Sequence, residues 1–273
     1  MMLPTPDTAH VSFDTVYEPS EDSYLFLDTL SSASESTWLS HRFSPSTSTP
    51  SPLVVEVGTG SGVVLGFVAA NSQEIFGRRD ILALGTDVNR NACAATQETA
   101  QRAIRDRQCT PTTDNDSSNS SGGGAKSTFL APVMADLGTP LRQGCVDVLL
   151  FNPPYVPTEE LPQIPSATTE QAMAGMSRSE RFDHESYLLS LTYAGGKDGM
   201  ETTDRLLDAI PGLLHPGRGV AYVLLCRQNR PDEVRDRIVA WGSGWQAESV
   251  GSSGKQAGWE KLIILRIWRD VGP

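Results

Sequence analysis

The sequence predicts a doubly wound α/β fold, a mostly parallel sheet with helices on both faces. Three observations predict it. Short apolar runs alternate with segments of helical periodicity along most of the chain. A glycine-rich turn, Gly58-Thr59-Gly60-Ser61-Gly62, joins the first run to the helix after it. Aspartates stand where the next two runs end, Asp87 and Asp136, on the rim where such sheets bind ligands.

The elements follow in order. Residues 53–57, Leu-Val-Val-Glu-Val, read as a strand and 63–70 as the helix after it. Residues 81–86 are a second strand and 91–104 a helix. The third strand is Thr128–Met134. The fourth, 146–151, is almost continuously apolar, as a strand buried on both faces should be. Residues 200–214 are helical, with Pro211 expected to end or kink the helix. Residues 219–225 make a strand, 231–241 a helix and 262–268 a final strand. Three stretches read as loops or insertions. Residues 31–52 are rich in Ser, Thr and Pro, with Trp38, Leu39 and Phe43 available to anchor part of them. Residues 109–127 carry too little apolar surface to offset their ordering entropy and are expected to be disordered. Residues 158–193 are polar and read as a long insert on the substrate side. No internal repeat is present, and residues 1–273 are read as a single domain.

Composition narrows the function. A chain of 273 residues, 38% hydrophobic, can bury a core. Its 33 acidic and 22 basic residues leave a net charge of −11. Nucleic-acid binders need cations to displace counterions from phosphates, and no Lys/Arg block is present. Arg102, Arg105 and Arg107 come closest and read as a solvated helix face. Cys93, Cys109, Cys145 and Cys226 form no C-x-x-C pair, and the four histidines are scattered, so neither a metal site nor a disulfide framework is expected. Residues 1–16 lack the pattern of a signal peptide, and no apolar run approaches membrane-spanning length. A cytoplasmic or nuclear location is expected.

The glycine turn has the spacing G-x-G-x-G. A dinucleotide fingerprint would want glycine or alanine at position 63, where Val63 stands, and no lysine follows as in a P-loop. Glu56 lies two residues before the first glycine. Asp87 is placed to accept both hydroxyls of a ribose, which NAD and S-adenosylmethionine share. Asp136 could accept an adenine amino group. Either alone could be a helix cap; together, at consecutive strand ends, they favour an adenosine pocket.

Asn152-Pro153-Pro154-Tyr155 follows the fourth strand. It could be an ordinary turn. Yet two prolines make a stiff loop with no backbone N–H at either position. What remains is carbonyl oxygen: the Asn152 side chain and the Pro153 backbone can each accept one N–H of a planar –NH₂ group, and Tyr155 can stack on its plane. An amide nitrogen is a poor nucleophile because its lone pair is delocalised. Two acceptors raise electron density on it and aim it at a methyl carbon. Fixed carbonyl dipoles then stabilise the transition state, and alignment supplies much of the rest. These residues predict methyl transfer from S-adenosylmethionine to an amide-type nitrogen.

Together, the segment 55–62, Thr86-Asp87, Asp136-Leu137 and Asn152-Pro153-Pro154-Tyr155 resemble the class I HemK-like methyltransferases. The eukaryotic branch is the closer match, through Tyr17-Glu18-Pro19-Ser20-Glu21-Asp22-Ser23 and Ala194-Gly195-Gly196-Lys197-Asp198-Gly199-Met200-Glu201. The resemblance implies a seven-stranded, Rossmann-like sheet and S-adenosyl-L-methionine as cofactor. It implies methylation of the glutamine N5 in the Gly-Gly-Gln tip of the class 1 translation termination factor, by a heterodimer with a small zinc-binding activator subunit. It places Ser23, Glu56, Gly58, Gly60, Gly62, Asp87, Val88, Asp136, Leu137 and Asn152 at the cofactor, and Asn152, Pro153, Pro154 and Tyr155 at the reaction. Residues 11–30 become a cofactor lid, although Pro19 to Asp22 also read as a helix start. The Asn-Pro-Pro-Tyr loop alone also suits N6-adenine methylation of nucleic acid, and a protein lysine methyltransferase is a further alternative. A non-catalytic scaffold that stabilises its partner is a third class, which the intact loops argue against. Strand 128–134, apolar and uncharged, is expected at a sheet edge, where Pro132 blunts it only in part and the activator would add by strand pairing.

Overall fold

A computed structural model of the chain describes residues 2–45, 49–109, 125–164, 177–254 and 261–270. Its centre is a seven-stranded sheet of β1 (Leu53–Val57), β2 (Leu82–Asp87), β3 (Thr128–Met134), β4 (Val148–Phe151), β5 (Val220–Cys226), β6 (Trp245–Ser252) and β7 (Leu262–Arg269). The spatial order is β3-β2-β1-β4-β5-β7-β6. The first five strands are mutually parallel, and β7 runs antiparallel to β5 and β6. Every residue of β4 and β5 is buried, which is why their sequences read as unbroken apolar runs. Strand order reverses between β1 and β4, so the loops leaving their carboxyl ends diverge and open a crevice.

The helices are α1 (Glu21–Ser31), α2 (Ala33–Arg42), α3 (Val63–Ala70), α4 (Ser72–Phe76), α5 (Arg90–Gln108), α6 (Arg178–Tyr193), α7 (Glu201–Leu213) and α8 (Pro231–Val239). Residues 11–30 divide into an irregular, turn-containing approach and α1. The approach is strapped to α5, since Asn89 Nδ2 donates to the Thr15 carbonyl at 2.7 Å and Asn91 Nδ2 to Thr15 Oγ1 at 3.1 Å. Val11 and Val16 pack there with Ala92 and Ala95.

Four expectations need correction. Residues 31–52 are not all loop, because α2 occupies 33–42. Its polar composition hid it, but Ser32 caps it by accepting from Glu35 N, and Leu39 and Phe43 are fully buried. Residues 158–193 contain α6, opened by a capping box between Ser177 and Glu180. The helix over 200–214 runs past Pro211 to Leu213, since a proline in the final turn removes only one hydrogen bond. The strand β6 was not read at all: its Gly- and Ser-containing sequence carries little strand propensity, and pairing with β7 makes it a strand. The expected disorder over 109–127 concerns mainly residues 110–124, which lie outside the described residues.

A buried ionic network ties α2 to the far half of the sheet. Glu35 accepts from Tyr222 Oη at 2.8 Å and from Arg266 Nη1 at 2.8 and 3.0 Å. The Arg266 guanidinium lies 4.2 Å from the Trp38 ring centroid and 4.8 Å from that of Trp268. Removing Glu35 leaves the buried Tyr222 hydroxyl without its acceptor and leaves Arg266, among the described residues, with Glu248 alone, to which its Nη2 donates at 2.6 Å. Glu35→Ala should therefore destabilise the protein by about 3–5 kcal/mol, and Glu35→Gln by clearly less because its amide oxygen still accepts from Tyr222. Urea unfolding checks this; equal losses for the two variants would remove the network from the account.

Candidate active site

At the carboxyl edge of β1 to β4 lies a cavity of about 290 Å³. Its floor is the glycine turn. Gly60 has φ +52°, a left-handed backbone with open space beside its α-carbon, so a ligand can approach closely. Gly62, at φ +77°, serves packing instead: a Cβ there would stand 2.6 Å from the Thr96 α-carbon of α5. It caps α3 and is not part of the cavity wall.

Glu56 is buried at the end of β1 and lines the cavity. Its Oε2 accepts from Thr59 Oγ1 at 2.9 Å and from Leu65 N, in the first turn of α3, at 3.1 Å. Burial pushes its pKa up to about 8, with the Thr59 and Leu65 bonds opposing the rise and the Asp87 charge adding to it. Asp87 ends β2, and its two oxygens accept from Gly60 N at 3.0 Å and Asn89 N at 2.8 Å. The second carboxylate is thus bolted to the glycine turn, and burial raises its pKa too.

Val88, Asp136 and Leu137 line the same cavity, Leu137 in a left-handed backbone at φ +53°. Asp136 Oδ2 accepts from Arg205 Nη2 of α7. From the lid, Ser23 reaches the wall beside Asp22, whose Oδ1 accepts from Ser23 N at 2.6 Å, Ser23 Oγ at 3.2 Å and Ser20 Oγ at 3.3 Å. From β4 come Asn152, Pro153 and Pro154. The Asn152 Oδ1 is buried and has no hydrogen-bond partner among the described residues. Buried acceptors are nearly always paired, so an unpaired one at a cavity marks the place of a missing donor.

The structure thus brings together Ser23, Glu56, Gly58, Gly60, Asp87, Val88, Asp136, Leu137, Asn152, Pro153 and Pro154. It leaves Gly62 beneath the floor and Tyr155 outside. The Tyr155 side chain packs against the core, and its backbone carbonyl accepts from Asn229 Nδ2 at 3.1 Å. Residues not foreseen as site residues also line the cavity. Asp22 and Arg205 are charged. Leu161, Pro162 and Ile164 supply an apolar wall with Leu188 and Leu191 of α6. The i, i+3 spacing of those two leucines was the available signal.

The described charged residues of the wall are four carboxylates, Asp22, Glu56, Asp87 and Asp136, and one cation, Arg205. Such a set suits a cationic ligand carrying an adenosine. Among the described residues, no cluster of His, Cys, Asp and Glu could hold a metal ion.

Comparison with known proteins agrees with this chemistry. No family model matches the chain. It is 31% identical to Methyltransferase HEMK2 of Mus musculus, over 97% of this chain and 96% of that protein. It is 28% identical to the eRF1 methyltransferase catalytic subunit mtq2 of Schizosaccharomyces pombe, over 98% of this chain and 96% of that one. Among solved structures, the E. cuniculi Mtq2-Trm112 complex, described as methylating the eRF1 translation termination factor, matches with 22% identity and a TM-score of 0.47. That match covers 94% of this chain and 99% of the solved one.

The Glu56 shift has a measurable consequence. Unfolded, a glutamate ionises near ~4.3, whereas here the proton stays on to about pH 8. Between those values the folded state holds more protons than the unfolded one, so rising pH favours unfolding across that window. Glu56→Gln removes this dependence. Denaturation measured from pH 5 to 8 should show the wild type losing more stability than the variant; parallel curves would refute the assignment.

Proposed function

Because the chain belongs to the HEMK2 family of methyltransferases, we propose that it transfers the methyl group of S-adenosylmethionine to the side-chain N5 of a glutamine, that of the Gly-Gly-Gln motif in the eukaryotic translation termination factor. The observation that carries the reading is the buried, unpartnered Oδ1 of Asn152 at the cavity. The name of the fission-yeast relative, an eRF1 methyltransferase, supports the substrate. Its site of action would be the cytoplasm.

The cofactor fits the donor set. When bound, it supplies an electrophilic methyl group on a sulfonium. Asp87, held by Gly60 and Asn89, accepts the ribose hydroxyls. Asp136 offers the adenine amino group the oxygen that Arg205 leaves. Val88 and Leu137 give the base apolar surface, and Ser23, Glu56 and Gly58 complete the surroundings. Glu56 lies where a cation would favour its ionised form, against the burial that holds its proton.

Asn152 Oδ1 and the Pro153 carbonyl accept the two N–H groups of the substrate amide. They orient its nitrogen for in-line attack, and their fixed dipoles oppose the positive charge that gathers on it. No general base is required until the proton leaves the product amide, and no histidine lines the cavity among the described residues. Tyr155 contributes through its backbone rather than by stacking on the substrate.

The fission-yeast relative is named a catalytic subunit, which supports a partner subunit, and we take that partner to be a small zinc-binding activator. We assign its docking to β3. Among the described residues that strand pairs only with β2; it carries no charge and exposes Leu130 at 48% and Met134 at 49%. Phe129, on the same strand, is half-buried and packs against the core, so it offers a partner less surface.

Two outcomes are expected. Asn152→Ala should reduce methyl transfer by about 100- to 1,000-fold while cofactor affinity changes little. A tritiated-methyl assay with termination factor, DNA and no substrate checks this; near-normal turnover, or transfer to DNA, would overturn the reading. Leu130→Glu with Met134→Lys should abolish co-purification with the activator without lowering the melting temperature. Hydrogen exchange on adding activator should protect 128–134; protection confined to β6 would move the interface to the opposite edge.

A further inference from the structure

The two prolines that stiffen the catalytic loop also strip it of donors. Neither Pro153 nor Pro154 has an N–H. The reading above gives the Pro153 carbonyl to the substrate. A brace for this stretch must therefore bring donors from elsewhere, and the carbonyl of Tyr155 is one it can grip.

Asn229 grips it. The residue lies in the turn after β5, is 2% exposed and is not part of the cavity wall. Its Nδ2 donates to the Tyr155 carbonyl at 3.1 Å and the Asp198 carbonyl at 3.0 Å, with the Gly199 carbonyl at 3.4 Å. Its Oδ1 accepts from Cys226 N at 2.8 Å. Three carbonyls on one side and an N–H on the other permit only one orientation of the amide. The loop 194–199 is pressed against the catalytic loop backbone to backbone. A Cβ on Gly199 would stand 2.0 Å from the Tyr155 carbonyl oxygen, and one on Gly195 would stand 2.5 Å from that of Pro154. Two backbone bonds join the loops further along, Val156 N to the Tyr193 carbonyl at 2.9 Å and Gly195 N to the Val156 carbonyl at 2.8 Å.

We propose that Asn229 is a positioning residue for methyl transfer. By tying the Tyr155 carbonyl to the 198–199 backbone, it fixes the aim of Asn152 Oδ1 and the Pro153 carbonyl at the substrate amide. The proposal rests on the glutamine-amide reading of the site. It separates aim from binding: the carboxylates and backbone assigned to the cofactor sit on α1, on β1, on β2 and in the segments after β1, β2 and β3, and Asn229 bonds to none of them.

The test uses the full-length chain with its activator, as wild type, Asn229→Ala and Asn229→Asp. Calorimetric titration with S-adenosylmethionine counts competent sites, and turnover on termination factor is expressed per site. Turnover per site should fall about 30- to 100-fold in Asn229→Ala, while cofactor affinity stays within about threefold. Asn229→Asp keeps the acceptor for Cys226 N but turns an oxygen toward the carbonyls, so it should fall at least as far. Amide exchange at Val156 and Gly195 should quicken in both variants, with β4 unchanged. Turnover per site near wild type, full activity in Asn229→Asp, unchanged exchange, or loss of cofactor binding in both variants would each overturn the proposal, the last by making Asn229 a folding residue. If the wild type transfers no methyl to the termination factor, the glutamine reading fails, and the exchange comparison still decides whether Asn229 latches the loop.

Discussion

The reversal of strand order between β1 and β4 is the constraint on which the site depends. Parallel neighbours deliver their carboxyl ends to one rim, and the reversal sends the following segments to opposite faces of the sheet. The glycine turn and the catalytic loop therefore start side by side and then part. Their closeness is visible at Gly58, where a Cβ would stand 3.8 Å from the Phe151 ring and 4.0 Å from the Asn152 carbonyl oxygen. Cofactor and substrate acceptors thus share one mouth without a hinge between them. The neighbouring strands β2 and β3 add an aspartate each to the same rim, at successive distances from the reacting centre.

Electrostatics at that rim works against the folded state when no ligand is bound. Glu56 is desolvated on the end of a core strand, and the amide at the start of α3 and the Thr59 hydroxyl offset only part of that burden. Asp87 is under the same pressure, relieved in part by backbone amides of the turn and of the chain leading into α5. Both carboxylates are therefore poised for a positive ligand, and the amides that moderate them also hold them still. Arg205 supplies a resident counter-charge at Asp136 alone. The pattern is asymmetric: the carboxylate candidate for the adenine end is neutralised by the protein, while Glu56 and Asp87 have no such ion pair among the described residues.

Much of this was legible in the chain. Long apolar strands show as continuous runs, and the strand-to-helix turns announce themselves by glycine and proline because those positions need unusual backbone or lack an N–H. What was not legible depends on contacts distant in sequence. The helix α2 is polar and rich in serine, and its place is set by Leu39, Phe43 and Glu35 meeting partners as remote as Arg266. The strand β6 exists because β7 pairs with it. Tyr155 invites a stacking role by its ring, yet its neighbours draw that ring to the core and leave its carbonyl as the group held by Asn229. Local sequence names the residue types that chemistry needs; it does not say which atom of each is presented.

The two ends of the sheet divide the work. On one side, β5, β7 and β6 are clamped to α2 through Tyr222, Arg266, Trp38 and Glu35, a set of long-range buried contacts that ties the far half together. On the other side, β3 has a single paired neighbour and a register shift at Leu130, where its side chain turns to solvent. Between them sits the rim that needs both stiffness and access. A catalytic loop leaving β4 is one strand away from the clamped half, and its brace, Asn229, follows directly from β5. The cavity aspartates proposed for the cofactor, Asp87 and Asp136, by contrast, lie on β2 and after β3, toward the unclamped edge. On the proposed reading, aim is anchored to the half of the sheet that α2 clamps and cofactor capture to the half next to β3, so a partner at β3 would act on the cofactor side of the reaction before it acted on the substrate side.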